Sequence, residues 1–236
     1  MKHVRVGVIG TGMMGCEHLK NLLGLENVSI TAVSDPNEEP LTWARITLGD
    51  AAEGVQYFSD HRELLSSGLV DAVLVASPNF THKAILDDIF ATDLPVLVEK
   101  PMCTTVEDCI AIVNAQKTRR ALTWVGLEYR YMAPIAELVR QVHGGVVGEL
   151  KMLAIREHRF PFLVKVDNWN RFTRNTGGTL VEKCCHFFDL MNLVVQSRPV
   201  RVMASGGQDV NHLDEVYNGE HSDILDNAYV IVEYAN

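Results

Sequence analysis

A glycine-rich turn near the N-terminus constrains the fold more than any other feature of the sequence. Gly10-Thr11-Gly12-Met13-Met14-Gly15 follows the apolar run 4–9 and precedes a stretch with helical spacing, 16–25. In such a turn the first glycine permits the bend, the second lets the main chain approach a pyrophosphate, and the third lets the helix pack on the strand. The pyrophosphate then lies at the helix N-terminus. The pattern predicts a dinucleotide site at Gly10, Gly12, Met13, Met14 and Gly15.

Asp35 indicates which dinucleotide binds. It follows a second apolar run, 28–33, and lies 20 residues after Gly15. A carboxylate there accepts a hydrogen bond from the adenosine ribose 2′-hydroxyl and repels the additional phosphate of NADP. We therefore expect NAD as the cofactor. Ser34 and Arg45 leave NADP open as the alternative, because together they could bind a 2′-phosphate.

The composition excludes several classes of protein. The chain has 236 residues, 47% of them apolar, and a formal net charge of −9. Because phosphate backbones require clustered Lys and Arg, we expect no nucleic-acid partner. The sequence has no apolar run long enough to span a bilayer and no secretory pattern before the glycine turn, so we expect no membrane contact. The five cysteines lack Cys-x-x-Cys spacing, which favours reduced thiols in the cytoplasm.

Two sequence patterns divide the chain near residue 126. In the first half, short apolar runs alternate with helical spacing, which predicts an α/β domain with a doubly wound parallel sheet over residues 1–125. The second half predicts an α+β domain with a mainly antiparallel open sheet over residues 126–236. Its expected elements are a strand at 150–158, an irregular basic stretch at 159–176, one helix at 178–195, and strands at 200–205 and 228–234.

Polar motifs close two neighbouring strands at one edge of the predicted sheet. Glu99-Lys100-Pro101 ends the fifth apolar run, and Ser77-Pro78-Asn79 with His82 ends the fourth. Ligands of open α/β sheets bind at the carboxyl ends of the strands, so we expect Lys100 to face the cofactor. A solvated Glu-Lys pair and a helix N-cap are the structural alternatives. We assign to the cofactor site Ser77, Pro78, Asn79, His82, Glu99 and Lys100.

The predicted helix 178–195 carries the second candidate group. Glu182, His186 and Asp189 stand at i, i+4 and i+7 and so share one helix face. A histidine beside carboxylates can act as a proton acceptor near neutral pH, although a surface His paired for helix stability is the alternative. We expect no metal here, because Cys184 and Cys185 diverge by about 100° around a helix.

The segment 151–183 is locally basic. It carries seven Lys and Arg against three Asp and Glu. An anionic substrate such as a sugar acid or a phosphorylated sugar is one interpretation. A solvated basic rim or a contact with a partner subunit is the other.

These motifs together resemble the glucose-fructose oxidoreductase and inositol dehydrogenase family (Gfo/Idh/MocA) over the whole chain. The resemblance rests on the glycine-rich turn, Ser77-Pro78-Asn79 with His82, Glu99-Lys100-Pro101, Gly126 with Arg130-Tyr131, and Gly177-Gly178-Thr179-Leu180 leading to His186 and Asp189. It implies a Rossmann domain followed by a substrate-binding and oligomerisation domain. It also implies NAD(P)-dependent hydride transfer at a hydroxyl or keto carbon of a sugar, polyol or sugar acid.

The resemblance implies that Lys100, Glu182 and His186 form the catalytic group. Chemically, His186 would take the hydroxyl proton, Lys100 would stabilise the developing alkoxide, and Glu182 would orient His186 or bind a second hydroxyl. We expect the substrate to be bound by Arg130, Tyr131, His158, Trp169, Asn170 and Asp189.

The sequence departs from the family pattern, and one other function stays open. Many relatives have Asp at the position of Glu182 and Gly at that of Cys184, and the segment 128–129 lacks a basic residue found in several of them. A non-catalytic dinucleotide-binding sensor is the alternative function. The presence of both Lys100 and His186 favours the enzyme.

The end of the sequence predicts an incomplete second domain. The strand expected at 228–234 lies two residues from the end, at 236. In the family this domain continues into further antiparallel strands that commonly build the subunit interface. We therefore expect either a fragment of a longer protein or a chain whose last strand is covered by another copy, as a homodimer or homotetramer.

Overall fold

A parallel sheet organises the first half of the chain in the computed structural model, which describes residues 3–236. Its strands are β1 (Val4–Ile9), β2 (Val28–Ser34), β3 (Gln56–Phe58), β4 (Ala72–Val75), β5 (Val96–Glu99) and β6 (Thr123–Gly126). The order is β3-β2-β1-β4-β5-β6, with all neighbours parallel. The order reverses between β1 and β4, which is where open α/β sheets bind ligands. The predicted doubly wound sheet is confirmed.

Helices cover both faces of this sheet because its strands are apolar on both sides. The helices are α1 (Met13–Leu23), α2 (Glu38–Leu48), α3 (His61–Ser66), α4 (His82–Phe90) and α5 (Val106–Gln116). In β4, Val73 and Val75 pack in one core with α3, α4 and α5, whereas Leu74 packs in the other with α1 and α2. Alternate side chains of a strand point to opposite faces, so three consecutive apolar residues supply two cores.

The chain divides into two compact units. Unit 1 comprises residues 3–126 together with Lys165–Trp169, and unit 2 comprises Leu127–Val164 and Asn170–Asn236. The five-residue segment that returns to unit 1 contacts it through the side chains of Trp169 and Lys165. The Trp169 ring meets Phe80 edge-on with centroids 6.3 Å apart, and Lys165 Nζ lies 4.0 Å from Met13 Sδ.

Unit 2 combines helices with a two-stranded antiparallel sheet. Its helices are α6 (Ala133–His143), α7 (Thr173–Thr176), α8 (Thr179–Glu182) and α9 (Cys185–Val195). Strands β7 (Pro199–Gly207) and β10 (Asn227–Tyr234) pair with each other, and β8 (Val216–Tyr217) pairs with β9 (Glu220–His221). This antiparallel pairing agrees with the predicted class of the second half.

The prediction of a strand at 150–158 is wrong. Residues 150–165 form no strand, helix or turn. A strand requires ladder hydrogen bonds to a neighbour, and none connects this stretch to the other strands that the structure describes. Part of it is held by a side chain instead, since Arg171 Nη2 donates to the Phe162 carbonyl at 3.1 Å.

The prediction of a single helix at 178–195 is also wrong. This segment forms two helices, α8 and α9, which are separated at Lys183 and Cys184. The Cys184 amide donates to the Thr179 carbonyl five residues earlier, at 3.4 Å, so the turn is wider than a regular α-helical turn. The spacing argument that put Glu182 and His186 on one regular helix face therefore does not apply.

Among residues 3–236, each helix is too short or too polar to cross a membrane.

Candidate functional site

The glycine-rich turn has the geometry that a dinucleotide requires. Gly10 has a φ of +87°, and a Cβ there would lie 2.5 Å from the Ser77 nitrogen. A Cβ on Gly15 would lie 2.1 Å from the Gly10 oxygen, so the start of α1 packs directly on the turn. A Cβ on Gly12 would meet nothing within 4 Å. The residues present therefore fit the cofactor, because two glycines shape the turn and the third borders open space.

Asp35 holds the glycine-rich turn in place. Its side chain follows β2 and is buried, with the residue 8% exposed. Oδ2 accepts a hydrogen bond from the Thr11 amide at 2.9 Å, and Oδ1 accepts one from the Asn37 amide at 3.0 Å. The Thr11 hydroxyl also lies 3.5 Å from Oδ2, so the second lone pair of Oδ1 is the acceptor left for a ribose hydroxyl.

His82 ties together the loops that follow β4 and β5. Its ring is fully buried, with Nε2 3.0 Å from the Ser77 carbonyl and Nδ1 2.8 Å from the Pro101 carbonyl. Burial lowers the pKa of His82 despite these carbonyl contacts. A neutral ring donates through one nitrogen only, so it bonds to one carbonyl at a time. In the first of these loops, the Ser77 and Thr81 hydroxyls are 2.7 Å apart.

Glu99 is the polar centre at the carboxyl end of β5. Oε1 lies 2.6 Å from His18 Nε2, and Oε2 accepts the Lys100 amide at 3.1 Å. Burial raises the pKa of Glu99, but the hydrogen bond and charge of His18, together with the charge of Lys100, outweigh it and hold the pKa below its ordinary value. Glu99 therefore remains a carboxylate at neutral pH.

In unit 2, His186 lies in an aromatic and charged environment. The residue is 2% exposed, and its ring stacks on Tyr129 with centroids 4.1 Å apart and an interplanar angle of 7°. His186 Nε2 is 3.6 Å from Glu128 Oε1. Glu182 is buried as well, at 8% exposed. An imidazole beside a carboxylate can accept a proton, because the carboxylate stabilises the imidazolium that forms.

Lys183 and Tyr129 belong to the same cluster, although sequence reasoning did not select them. The Lys183 ammonium donates to the Tyr129 hydroxyl and lies 4.7 Å from the centroid of its ring. It also lies 3.7 Å from Glu157 Oε2. The sequence could have indicated Lys183, because it directly follows Glu182. It could not have indicated Tyr129, which only the tertiary structure brings to His186.

Two of the expected substrate residues bind each other. Arg130 Nε donates to Asp189 Oδ2 at 2.9 Å, and Arg130 Nη2 donates to the other Asp189 oxygen. Such a bidentate pair fixes both side chains, so a substrate hydroxyl would have to bind at their remaining polar sites. Their role in substrate binding stays a prediction.

The other expected substrate residues are dispersed over the two units. Tyr131 is 60% exposed in unit 2, whereas Trp169 contacts Phe80 in unit 1. Asn170 is 1% exposed and donates to the Leu163 carbonyl at 2.9 Å. His158 is exposed and lines a cavity of about 410 Å³ in unit 2, whose lining also includes Lys183 and Phe187 but neither His186 nor Glu182.

Most of the basic side chains in the segment 151–183 form ion pairs with acidic side chains. Acidic partners lie within 4.0 Å of five of its seven basic residues, in the pairs Lys151–Glu149, Arg159–Glu157, Arg171–Glu215, Arg174–Glu220 and Lys183–Glu157. Local neutralisation weakens the argument for an anionic substrate, because little net field remains to attract one.

Comparison with known proteins identifies both halves of the chain. Residues 4–127 match the oxidoreductase family with an NAD-binding Rossmann fold, and residues 139–236 match the C-terminal alpha/beta domain of the same oxidoreductase family. The chain is 34% identical to inositol 2-dehydrogenase 1 of Saccharopolyspora erythraea over 148 residues, which is 62% of this chain and 43% of that protein. It is 27% identical to myo-inositol 2-dehydrogenase of Thermotoga maritima over 231 residues, which is 98% of this chain and 65% of that protein.

A solved structure shows the same fold. The myo-inositol dehydrogenase of Lactobacillus casei, crystallised with NAD(H) and myo-inositol, superposes with a TM-score of 0.75 at 22% identity, covering 99% of this chain and 64% of that one. The chain thus spans less than two thirds of the length of these three relatives. Because the two halves match the two domains of a single family in the expected order, the chain belongs to the Gfo/Idh/MocA oxidoreductases.

Proposed function

We propose that the protein is an NAD-dependent dehydrogenase that acts on a hydroxyl carbon of a polyol or sugar, with inositol-like rings as the favoured class. The observation that carries the proposal is the setting of His186, a buried imidazole stacked on Tyr129 and flanked by a carboxylate. Relatives named inositol dehydrogenase support the substrate class.

The residues of this chain would handle the proton and the charge of the reaction. A bound nicotinamide supplies the hydride acceptor. Loss of hydride from carbon leaves a high-energy cation unless the hydroxyl proton leaves as well, so a base is needed. We assign this role to His186. The Lys100 ammonium would stabilise the developing alkoxide, and Glu182 would orient His186 or bind a second hydroxyl.

Three observations support NAD over NADP. The buried Asp35 carboxylate repels an added phosphate. Arg45, the cation that could bind that phosphate, is paired with Glu38 at 2.6 Å and lies 4.5 Å over the Tyr57 ring. Ser34 is 2% exposed, which leaves its hydroxyl little access to a ligand.

Turnover of a panel of polyols, sugars and sugar acids, followed by nicotinamide absorbance, tests the proposal. Lys100→Ala and His186→Ala should each lower kcat by about 10²- to 10⁴-fold, with cofactor affinity nearly unchanged. Lys83→Ala and His61→Ala, which change a lysine and a histidine of unit 1 outside the candidate site, are the controls and should stay active. Near-normal turnover in either active-site variant would refute the role of that residue. Tight NAD binding without turnover of any panel member would favour the sensor.

We also propose that copies of this protein associate through the sheet of β7 and β10. Its pairing places Met203 on the same face as Ile231 and Tyr229, and these side chains are 45%, 59% and 79% exposed. An apolar face of this kind is stabilised by contact with another surface. Light scattering of the protein tests this, and a monomer at all concentrations would refute it.

A further inference from the structure

His18 connects the two parts of the candidate cofactor site in unit 1. It lies in α1, the helix that begins at the glycine-rich turn, and its ring reaches the end of β5. His18 Nε2 is 2.6 Å from Glu99 Oε1, and the two side chains are 21% and 10% exposed. A contact this short and this buried joins residues that are 81 positions apart in sequence.

Glu99 also binds the main chain of Lys100. Its second oxygen, Oε2, accepts the main-chain amide of Lys100 at 3.1 Å. Gly126 stands opposite Glu99 in the sheet, and a Cβ there would lie 3.3 Å from Glu99 Oε1. The carboxylate is therefore held by His18, by the Lys100 amide and by the limited space beside Gly126.

Loss of His18 would change this arrangement in a defined way. A carboxylate that is 10% exposed is poorly solvated, so without its partner it would take up a proton or rotate toward water. Either change weakens the bond to the Lys100 amide. The main chain from which the Lys100 side chain starts would then sample more than one orientation.

We propose that His18 is a positioning residue for Lys100: by holding Glu99, it fixes the main chain at Lys100 relative to the helix that begins at the glycine-rich turn. The proposal rests on the function proposed above, in which the Lys100 ammonium stabilises the reacting oxygen. A displacement of about 1 Å at a catalytic group is enough to lower the rate by about a hundredfold, so a positioning contact of this kind matters to catalysis.

The chain offers a matched control in His61. His61 Nε2 lies 2.7 Å from Asp88 Oδ2, also within unit 1, and its side chain is 17% exposed. It pairs a histidine with a carboxylate at a similar distance, but Asp88 lies in α4, its side chain is 30% exposed against 10% for Glu99, and Arg62 Nε lies 3.0 Å from Asp88 Oδ2 as a second partner. His18→Leu and His61→Leu each remove a histidine–carboxylate contact of unit 1, and only His18 contacts the carboxylate that accepts a hydrogen bond from the Lys100 amide.

The first measurement does not depend on activity. Hydrogen exchange of the Lys100 amide, followed by NMR on the full chain, should be about tenfold faster in His18→Leu, because a bond to a charged acceptor is weakened. Exchange of the Val98 amide in the same strand should be unchanged, which separates a local effect from general destabilisation. His61→Leu should leave the exchange at Lys100 unchanged.

The second measurement is kinetic. His18→Leu should lower kcat by about ten- to a hundredfold and raise the primary deuterium isotope effect as hydride transfer becomes slower. His18→Gln, which retains a donor, should recover part of kcat. If His18→Leu does not fold, Glu99→Gln takes its place, because a neutral acceptor weakens the same bond to the Lys100 amide.

Slow exchange at Lys100 in His18→Leu, equal to that of the unchanged protein, would overturn the positioning role. So would an equal loss of kcat in His18→Leu and His61→Leu. Failure of the unchanged protein to turn over any substrate would instead refute the proposed function, and the exchange measurement would still decide whether His18 orders Lys100.

Discussion

Replacement of Asp35 tests how the glycine-rich turn and the choice of cofactor are connected. In the structure the Asp35 carboxylate accepts a hydrogen bond from the Thr11 amide, and in the proposed function it would also accept one from the ribose of the cofactor. We expect Asp35→Ala to weaken NAD binding strongly, because the Thr11 amide loses its acceptor. NADP binding should weaken less, because the variant also no longer repels the 2′-phosphate.

The magnitude follows from the burial of the two donors. Thr11 is 0% exposed, so water cannot replace the acceptor that its amide loses. A hydrogen bond to a charged group contributes about 1.5–3 kcal/mol, which corresponds to about ten- to 150-fold in affinity if it is expressed fully in binding. Asn37, the second donor, is exposed, and water can replace its bond at little cost. NAD should therefore bind at least about tenfold more weakly.

Titration calorimetry with both cofactors measures the effect. Asp35→Asn separates the two roles, since its amide oxygen can still accept from Thr11 although the charge is gone, and it should narrow the preference for NAD with a smaller loss of affinity. Asp60→Ala removes a carboxylate that accepts the Arg62 amide at 2.8 Å elsewhere in unit 1, and serves as the control. The reasoning is refuted if the unchanged protein binds NADP more tightly than NAD, or if Asp35→Ala weakens both cofactors equally.

Two further predictions concern the stability of unit 2. Arg171→Leu should lower its free energy of unfolding in urea by about 2–4 kcal/mol, because Arg171 is 2% exposed and its partner Glu215 is partly screened by water. Arg174→Leu, which removes an exposed ion pair, should lower it by less than about 1 kcal/mol, and equal losses would contradict the argument. Acid should also destabilise unit 2: burial raises the pKa of Glu215, but hydrogen bonds from His212, Tyr217 and Arg171 outweigh this and lower it from 4.5 to about 2. Because the pKa of Glu215 is lower in the folded state, the ionised carboxylate stabilises the fold above pH 4.5, and this stabilisation is lost as the pH falls toward about 2. Constant stability over this pH range, measured by circular dichroism, would refute the assignment.

Unit 1 could be predicted because its determinants are local in sequence. A strand that is buried on both faces must be apolar at consecutive positions, as Val73, Leu74 and Val75 are, so it is visible as a continuous run. The turn is equally visible, because Gly10 and Gly15 stand where a Cβ would collide with the main chain. Asp35 could be located by its distance from the turn, although its bond to the Thr11 amide could not.

Much of unit 2 could not be predicted because its determinants are not local. The segment 150–158 has the composition of a strand, but a strand forms only where a partner offers its main chain. The wide turn at Cys184 changes the relation of Glu182 to His186, and nothing in the spacing of the residues indicates it. Tyr129 stacks on His186 from 57 positions earlier in the chain, so their contact depends on the tertiary fold.

The return of Lys165–Trp169 to unit 1 has a consequence for biosynthesis. The last strand of the parallel sheet ends at Gly126, yet the contact with Phe80 needs Trp169, which is made 43 residues later. At about 5–20 residues per second, the ribosome needs roughly 2 to 9 s to synthesise that stretch. During this interval all six strands of the sheet have been synthesised, but the contacts of Trp169 with Phe80 and of Lys165 with Met13 cannot yet form. The dinucleotide-binding unit therefore reaches its final set of contacts only when much of the second unit has already been synthesised.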